Sequence, residues 1–160
     1  MKIQIVAVGR LKAGPERELC TRYAERFQGL MRSCGISELK LAELSESPAR
    51  RPEDRQAEES RAILAALPNG ATRLILDERG KTLNSAEFAE TLRKLRAASI
   101  DTASFIIGGP DGLAPDLRAH APFTLCFGRL TLPHQIVRAL LLEQLYRAGT
   151  ILTGHPYHRA

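Results

Sequence analysis

The stretch from residue 135 to 147 limits the possible folds more than any other. Its Ile136, Val137, Leu140, Leu141, Leu142 and Leu145 are set so that, on a helix, they project in nearly every direction. A helix of that kind has to be covered almost all round. One small sheet covers a single side, so a second copy of the chain is expected on the other, giving an isologous homodimer. The same helix carries Glu143 and Arg147 four residues apart. On a solvated helix this is ordinary i,i+4 support, but in an apolar one charges are kept only when paired or used.

The rest of the chain supplies the sheet. Residues 2–8 alternate as Lys2-Ile3-Gln4-Ile5-Val6-Ala7-Val8 before Gly9, which predicts a strand. Pro15 opens a helix over 15–32 with Leu19, Tyr23, Phe27 and Leu30 inward, and Gly35 stops it. Ile36 to Leu44 reads as a second strand and Ser45 to Asp54 as an exposed connection. After the Pro68-Asn69-Gly70 turn comes a short buried strand from Arg73 to Gly80. Asn84 and Glu87 form a capping box for a helix marked by Phe88, Leu92 and Leu95, and Ala103 to Ile107 is another strand. This alternation predicts an α/β fold, an open and mainly parallel sheet with helices on both faces. A length of 160 residues suits one domain, residues 1–160.

Ligands of such sheets sit outside the carboxyl ends of the strands. Here those ends are Leu76-Asp77, Gly108-Gly109 and the region after Cys126-Phe127. The run Gly108-Gly109-Pro110-Asp111-Gly112 is neither GxGxxG nor a Walker loop, since the lysine and hydroxyl partners are missing. It is a tight turn that would let backbone approach a ligand closely.

A net charge of +5 favours polyanionic partners without identifying one. Arg50, Arg51, Arg55 and Arg61 cluster around one helix start, either as a solvated face among Glu53, Glu58 and Glu59 or as phosphate contacts. No apolar run approaches a membrane span, and residues 1–9 break too soon for a signal peptide. Three cysteines without a CxxC pair, Cys20, Cys34 and Cys126, suit a reducing cytoplasm. The tail His155-Pro156-Tyr157-His158-Arg159 is dense in donors, yet Pro156 prevents a helix and no third ligand lies near its two histidines, so metal is not expected.

Taken together, Ile107 to Gly112, Leu130-Thr131-Leu132-Pro133-His134, Glu143 to Ala148 and the closing Tyr157-His158-Arg159 resemble the SPOUT superfamily of S-adenosylmethionine-dependent RNA methyltransferases. Within it they are most similar to the bacterial branch that methylates N3 of a pseudouridine in large-subunit ribosomal RNA. The resemblance implies a C-terminal trefoil knot, an exception to the rule that chains do not thread loops. It also implies that three loops hold S-adenosylmethionine: the one after Leu76, the one at Gly108 and Gly109, and the run Phe127, Gly128, Arg129, Leu130, Thr131 and Leu132. The partner subunit of a homodimer would complete the pocket, and the substrate would be ribosomal RNA in an assembled ribosome.

An imide N–H has to lose its proton at or before attack on a methyl group, so a base and cationic donors are wanted beside it. Arg147, His158 and Arg159 are expected to hold the ring and its phosphates beside Tyr157. Glu143 would orient Arg147, and His158 is the candidate to assist deprotonation. Two other readings fit part of the sequence: a non-catalytic RNA-binding assembly factor on the same fold, and a flavodoxin-like nucleotide-binding module. The first leaves the glycine turn and the tail without a use, and the second leaves the tail and the charge unexplained.

Overall fold

Strands and helices alternate as the hydrophobic periodicity predicts; the computed structural model describes residues 1–158. Strands β1 (Lys2–Val8), β2 (Glu38–Leu44), β3 (Thr72–Thr82), β4 (Thr102–Ile107) and β5 (Phe123–Cys126) form one sheet of order β2-β1-β4-β3-β5. Every pairing in it is parallel. Between and after the strands come α1 (Pro15–Leu30), α2 (Pro52–Ala66), α3 (Ser85–Ala97), α4 (Pro115–Ala119) and α5 (His134–Thr153).

The period of two along β1 assigns the helices to faces. Ile3, Ile5 and Ala7 enter the core shared with α1, α3 and α5, whereas Val6 and Val8 meet Ile63 of α2 and Leu117 of α4 on the opposite face. The result is three layers with the α/β architecture expected. Asn84 caps α3 with both bonds of the capping box, its side chain accepting from the Glu87 amide at 2.9 Å.

Three details differ from the sequence expectation. On α1 the buried stripe is Cys20, Ala24 and Phe27, while Leu19 is 36% exposed. Small residues let α1 lie close against α5, where a β-carbon on Gly149 would stand only 3.5 Å from the Phe27 ring. Second, β3 runs through Gly80 to Thr82, and both Leu76 and Lys81 pair with Leu125. The intervening residues 77–80 therefore form a bulge in β3 at the carboxyl end of the sheet.

Third, α5 is longer than expected and is better covered by its own chain. It lies between α1 and α3, and Leu141, Leu142 and Leu145 are fully buried, each worth about 2 kcal/mol of apolar transfer. Among the α5 positions that stay partly open, Ile136, Leu140, Glu143 and Arg147, spaced four, three and four apart, make one stripe.

An unforeseen charge anchors α5. Arg138 is only 2% exposed; its guanidinium donates to the Gly9 carbonyl at 2.7 Å and pairs with Glu43 of β2. Removing one partner of a buried pair strands the other. Because Glu43 keeps some water, we expect Arg138→Leu to cost about 3 kcal/mol, measured by urea unfolding; a loss below about 1 kcal/mol would show that the pair does not anchor the helix.

Candidate active site

The carboxyl ends of β3, β4 and β5 open on one cleft of about 540 Å³. This is within the usual span of about 300–1,000 Å³ for small-molecule sites. Three segments and Arg118 wall it: Leu76 to Arg79, Ile107 to Leu113, and Leu125 to Val137 except Arg129, Gln135 and Ile136. Of the loop residues singled out from the sequence, Leu76, Gly108, Gly109, Phe127, Gly128, Leu130, Thr131 and Leu132 line it. Arg129 does not; its side chain is exposed outside the cleft.

Neighbouring strands explain why these segments meet. Leu76 pairs with Ile107 on one side and Leu125 on the other, so all three chains leave the sheet at one level. The loop after β4 closes on itself through the Gly112 amide, which donates to the Gly109 carbonyl at 2.9 Å. The same glycines also meet packing constraints. A β-carbon on Gly109 would lie 3.0 Å from both Glu59 Oε2 and Val8 Cγ1, and one on Gly108 would lie 3.0 Å from Leu113.

Polar groups at the cleft were largely missed. Asp77, Glu78 and Arg79 reach its wall because β3 bulges there. Arg118 from α4 donates to the Leu113 carbonyl at 2.8 Å and lies 3.7 Å from Asp77. His134 begins α5 at the cleft, 3.8 Å from Glu46, and burial pushes its pKa down. The sequence signal for His134 was Pro133, which marks a helix start after the third loop.

Among the cluster of basic residues near α2, Arg55 pairs with Asp111 and Arg51 with Glu53. Ion pairing therefore accounts for both.

The second group of expected residues gathers at the far half of α5. Glu143 Oε1 accepts from Arg147 Nε at 2.9 Å and Nη2 at 2.6 Å, and from the Tyr157 hydroxyl at 3.2 Å. The Arg147 guanidinium stands 4.9 Å over the Tyr157 ring, which packs 4.6 Å from Tyr146. Burial first, then the Tyr23 hydroxyl and the Glu143 charge, push the Tyr157 phenol up to about 12, so it stays protonated as a donor. The carboxylate of Glu143 likewise raises the Arg147 pKa. His158 Nδ1 is buried with no hydrogen-bond partner among the described residues. Arg159 lies outside the described residues.

None of Glu143, Arg147, Tyr157 and His158 lines the cleft of the same chain. Val137 does, and Arg147 follows ten positions later, about 15 Å along the helix axis. Most of the expected loop residues thus meet at the cleft, Glu143, Arg147 and Tyr157 meet one another, and the two groups stand apart. Among the described residues no group of three or more His, Cys, Asp or Glu is disposed to hold a metal, and no helix is long and apolar enough to cross a membrane.

The family described as "Predicted SPOUT methyltransferase" matches residues 1–158. The chain is 52% identical over 160 residues to "Ribosomal RNA large subunit methyltransferase H" of Rhodopseudomonas palustris strain HaA2, covering all of both chains. It is 53% identical, again over the whole of both, to the protein of the same name from strain BisB18. Among solved structures, "a probable methylase family protein from Haemophilus influenzae Rd KW20" shares the fold at a TM-score of 0.51 and 14% identity, covering 99% of this chain and 70% of that one.

Proposed function

The chain belongs to the SPOUT methyltransferase family, and on that footing we propose that it is an S-adenosylmethionine-dependent methyltransferase acting on N3 of a pseudouridine in large-subunit ribosomal RNA. The observation that carries this reading is the convergence of three separate loops on one cleft at the carboxyl ends of β3, β4 and β5.

The lining suits the methyl donor. Leu76, Ile107, Leu125 and Leu132 offer apolar walls for an adenine, and the glycine turn offers backbone donors and acceptors. Asp77 and Glu78 bring carboxylates to the cleft wall that would pair with the donor's sulfonium and ammonium charges. When bound, S-adenosylmethionine would supply an electrophilic methyl group that leaves a neutral thioether behind. The protein's own contribution is to hold the base in line and to receive charge. Arg147, fixed by Glu143, presents a planar cation to a carbonyl oxygen of the imide as N3 loses its proton. Tyr157 supplies a hydroxyl that stays protonated, and His158 is the group that assists removal of the N3 proton. Arg159 completes the cationic set toward RNA phosphate.

The distance between the tail and the cleft supports a homodimer in which each tail serves the partner's cleft. The stripe Ile136, Leu140, Glu143 and Arg147 is the natural contact, since it joins the two sites along α5 and its own chain leaves it partly open. The path of the chain supports the trefoil knot. After edge strand β5 it returns past the loops of β3 and β4 to set α5 between α1 and α3. We read residues 1–160 as one domain, working in the cytoplasm on assembled ribosomes.

Labelled S-adenosylmethionine and ribosomes from cells without this protein test the reading. We expect label in the large subunit, mapping by mass to a pseudouridine, and much less on naked RNA fragments. No transfer to any ribosomal particle would favour a non-catalytic assembly factor. Co-expressing a cleft variant with an Arg147→Ala variant should restore activity up to about a quarter of wild type, because half of the dimers then contain one intact composite site; activity no greater than that of either variant alone would rule out sharing.

A further inference from the structure

The β4 loop is held from outside the cleft by α2. Arg55 Nε lies 2.5 Å from Asp111 Oδ2 and its Nη2 2.9 Å from Oδ1, a two-pronged pair. The remaining nitrogen, Nη1, donates to the carbonyls of Ala49 at 3.1 Å and Arg50 at 2.9 Å. Gln56 Nε2 donates to the Asp111 carbonyl at 2.6 Å. One turn further on, Glu59, 5% exposed, accepts from the Ser47 amide at 3.0 Å, while its second oxygen backs Gly109. The hydrogen bond to Arg55 keeps the Asp111 carboxyl below its usual range, so the pair remains ionised near neutral pH.

What this clamp holds is a segment with Gly at 108, 109 and 112. Glycine gives a free loop more conformations than any other residue, and a ligand that has to order such a loop binds more weakly. Besides the clamp, a Gly112 to Gly109 backbone bond ties the turn. Arg55 has its guanidinium nitrogens committed to protein acceptors, which leaves it no fork for a phosphate.

We propose that Arg55, backed by Gln56 and Glu59, is a positioning residue that presets the Gly108–Gly112 turn for the methyl donor. The inference rests on the reading that the cleft holds S-adenosylmethionine. Arg55 also ties the carbonyls of Ala49 and Arg50 to the same turn.

The full-length protein and its Arg55→Ala, Arg55→Lys and Asp111→Ala variants provide the test, with S-adenosylhomocysteine as the calorimetric probe. We expect about tenfold weaker binding for Arg55→Ala and a smaller loss for Arg55→Lys, which keeps the charge but not the fork. The double variant should be little worse than either single alanine variant, and KM for ribosomes should change by less than about twofold. A purely structural role would move both ligands or neither. Amide exchange of residues 108–113 in the ligand-free protein should rise in Arg55→Ala, and this readout does not depend on the cofactor. If the unaltered protein fails to bind the probe while exchange rises, the clamp stands and the cofactor reading falls. Affinity within twofold of wild type in Arg55→Ala, or unchanged exchange in that segment, would overturn the proposal.

Discussion

Replacing Arg147 by alanine is expected to slow methyl transfer by about a hundredfold or more, the scale seen when a donor aimed at developing negative charge is lost. Affinity for S-adenosylhomocysteine should stay within about twofold, because Arg147 is assigned to the substrate base and not to the loops that hold the cofactor. The guanidinium does two things at once: it makes a forked contact with Glu143 and lies 4.9 Å over the Tyr157 ring. An ammonium group reproduces neither geometry, so Arg147→Lys should recover little of the rate. His158→Ala should also lower the rate without weakening cofactor binding, and an unchanged rate would remove His158 from the mechanism. Tyr157 titrates only near 12, so Tyr157→Phe should leave the shape of the pH–rate profile below about pH 10 unchanged while lowering its height. A limb that disappears in that variant would show that the phenol, not the imide or the histidine, exchanges the proton.

Gly80→Ala is expected to produce the largest loss of stability from one added methyl group. A β-carbon at Gly80 would stand 2.7 Å from the Leu125 carbonyl carbon and 2.8 Å from the Thr124 carbonyl. These are backbone atoms of the neighbouring strand, which cannot rotate away as a flexible side chain would. Overpacking against such atoms costs about 2–3 kcal/mol, or roughly 5–10 °C in Tm for a chain of this size. The displaced residues lead directly into the Phe127 to Leu132 loop, so cofactor affinity should fall as well. Gly29→Ala is the control: nothing lies within 4 Å of a β-carbon there, and in a helix it should stabilise slightly. Equal melting temperatures for Gly80→Ala and wild type would mean that β3 and β5 separate easily at this point.

Much of the fold and part of the site could be read without coordinates, for different reasons. Alternation along Lys2 to Val8 and the capping pair Asn84 and Glu87 are local signals, and local signals survive folding unchanged. The loops after Leu76, at Gly108 and from Phe127 were legible because parallel strands deliver their carboxyl ends to one edge. The clamp of Arg55 on Asp111, 56 residues away, had no local signature. Either residue alone reads as an ordinary surface charge. The same holds for Arg138, whose partners Gly9 and Glu43 come from two other strand ends.

The apolar helix of residues 135–147 marks the boundary most clearly. Its sequence determined that it must be buried on several sides and that Glu143 and Arg147 would share one edge, since both follow from 3.6 residues per turn. Tertiary structure alone decided which sides the chain covers for itself. The small residues Ala24 of α1 and Gly149 of α5 let the two helices close together, and α3 covers a further side, while the stripe through Ile136, Leu140, Glu143 and Arg147 stays partly open. It also decided that cleft and tail stand at opposite halves of one helix, a separation set by the rigid rise of the helix and by where β5 leaves the sheet.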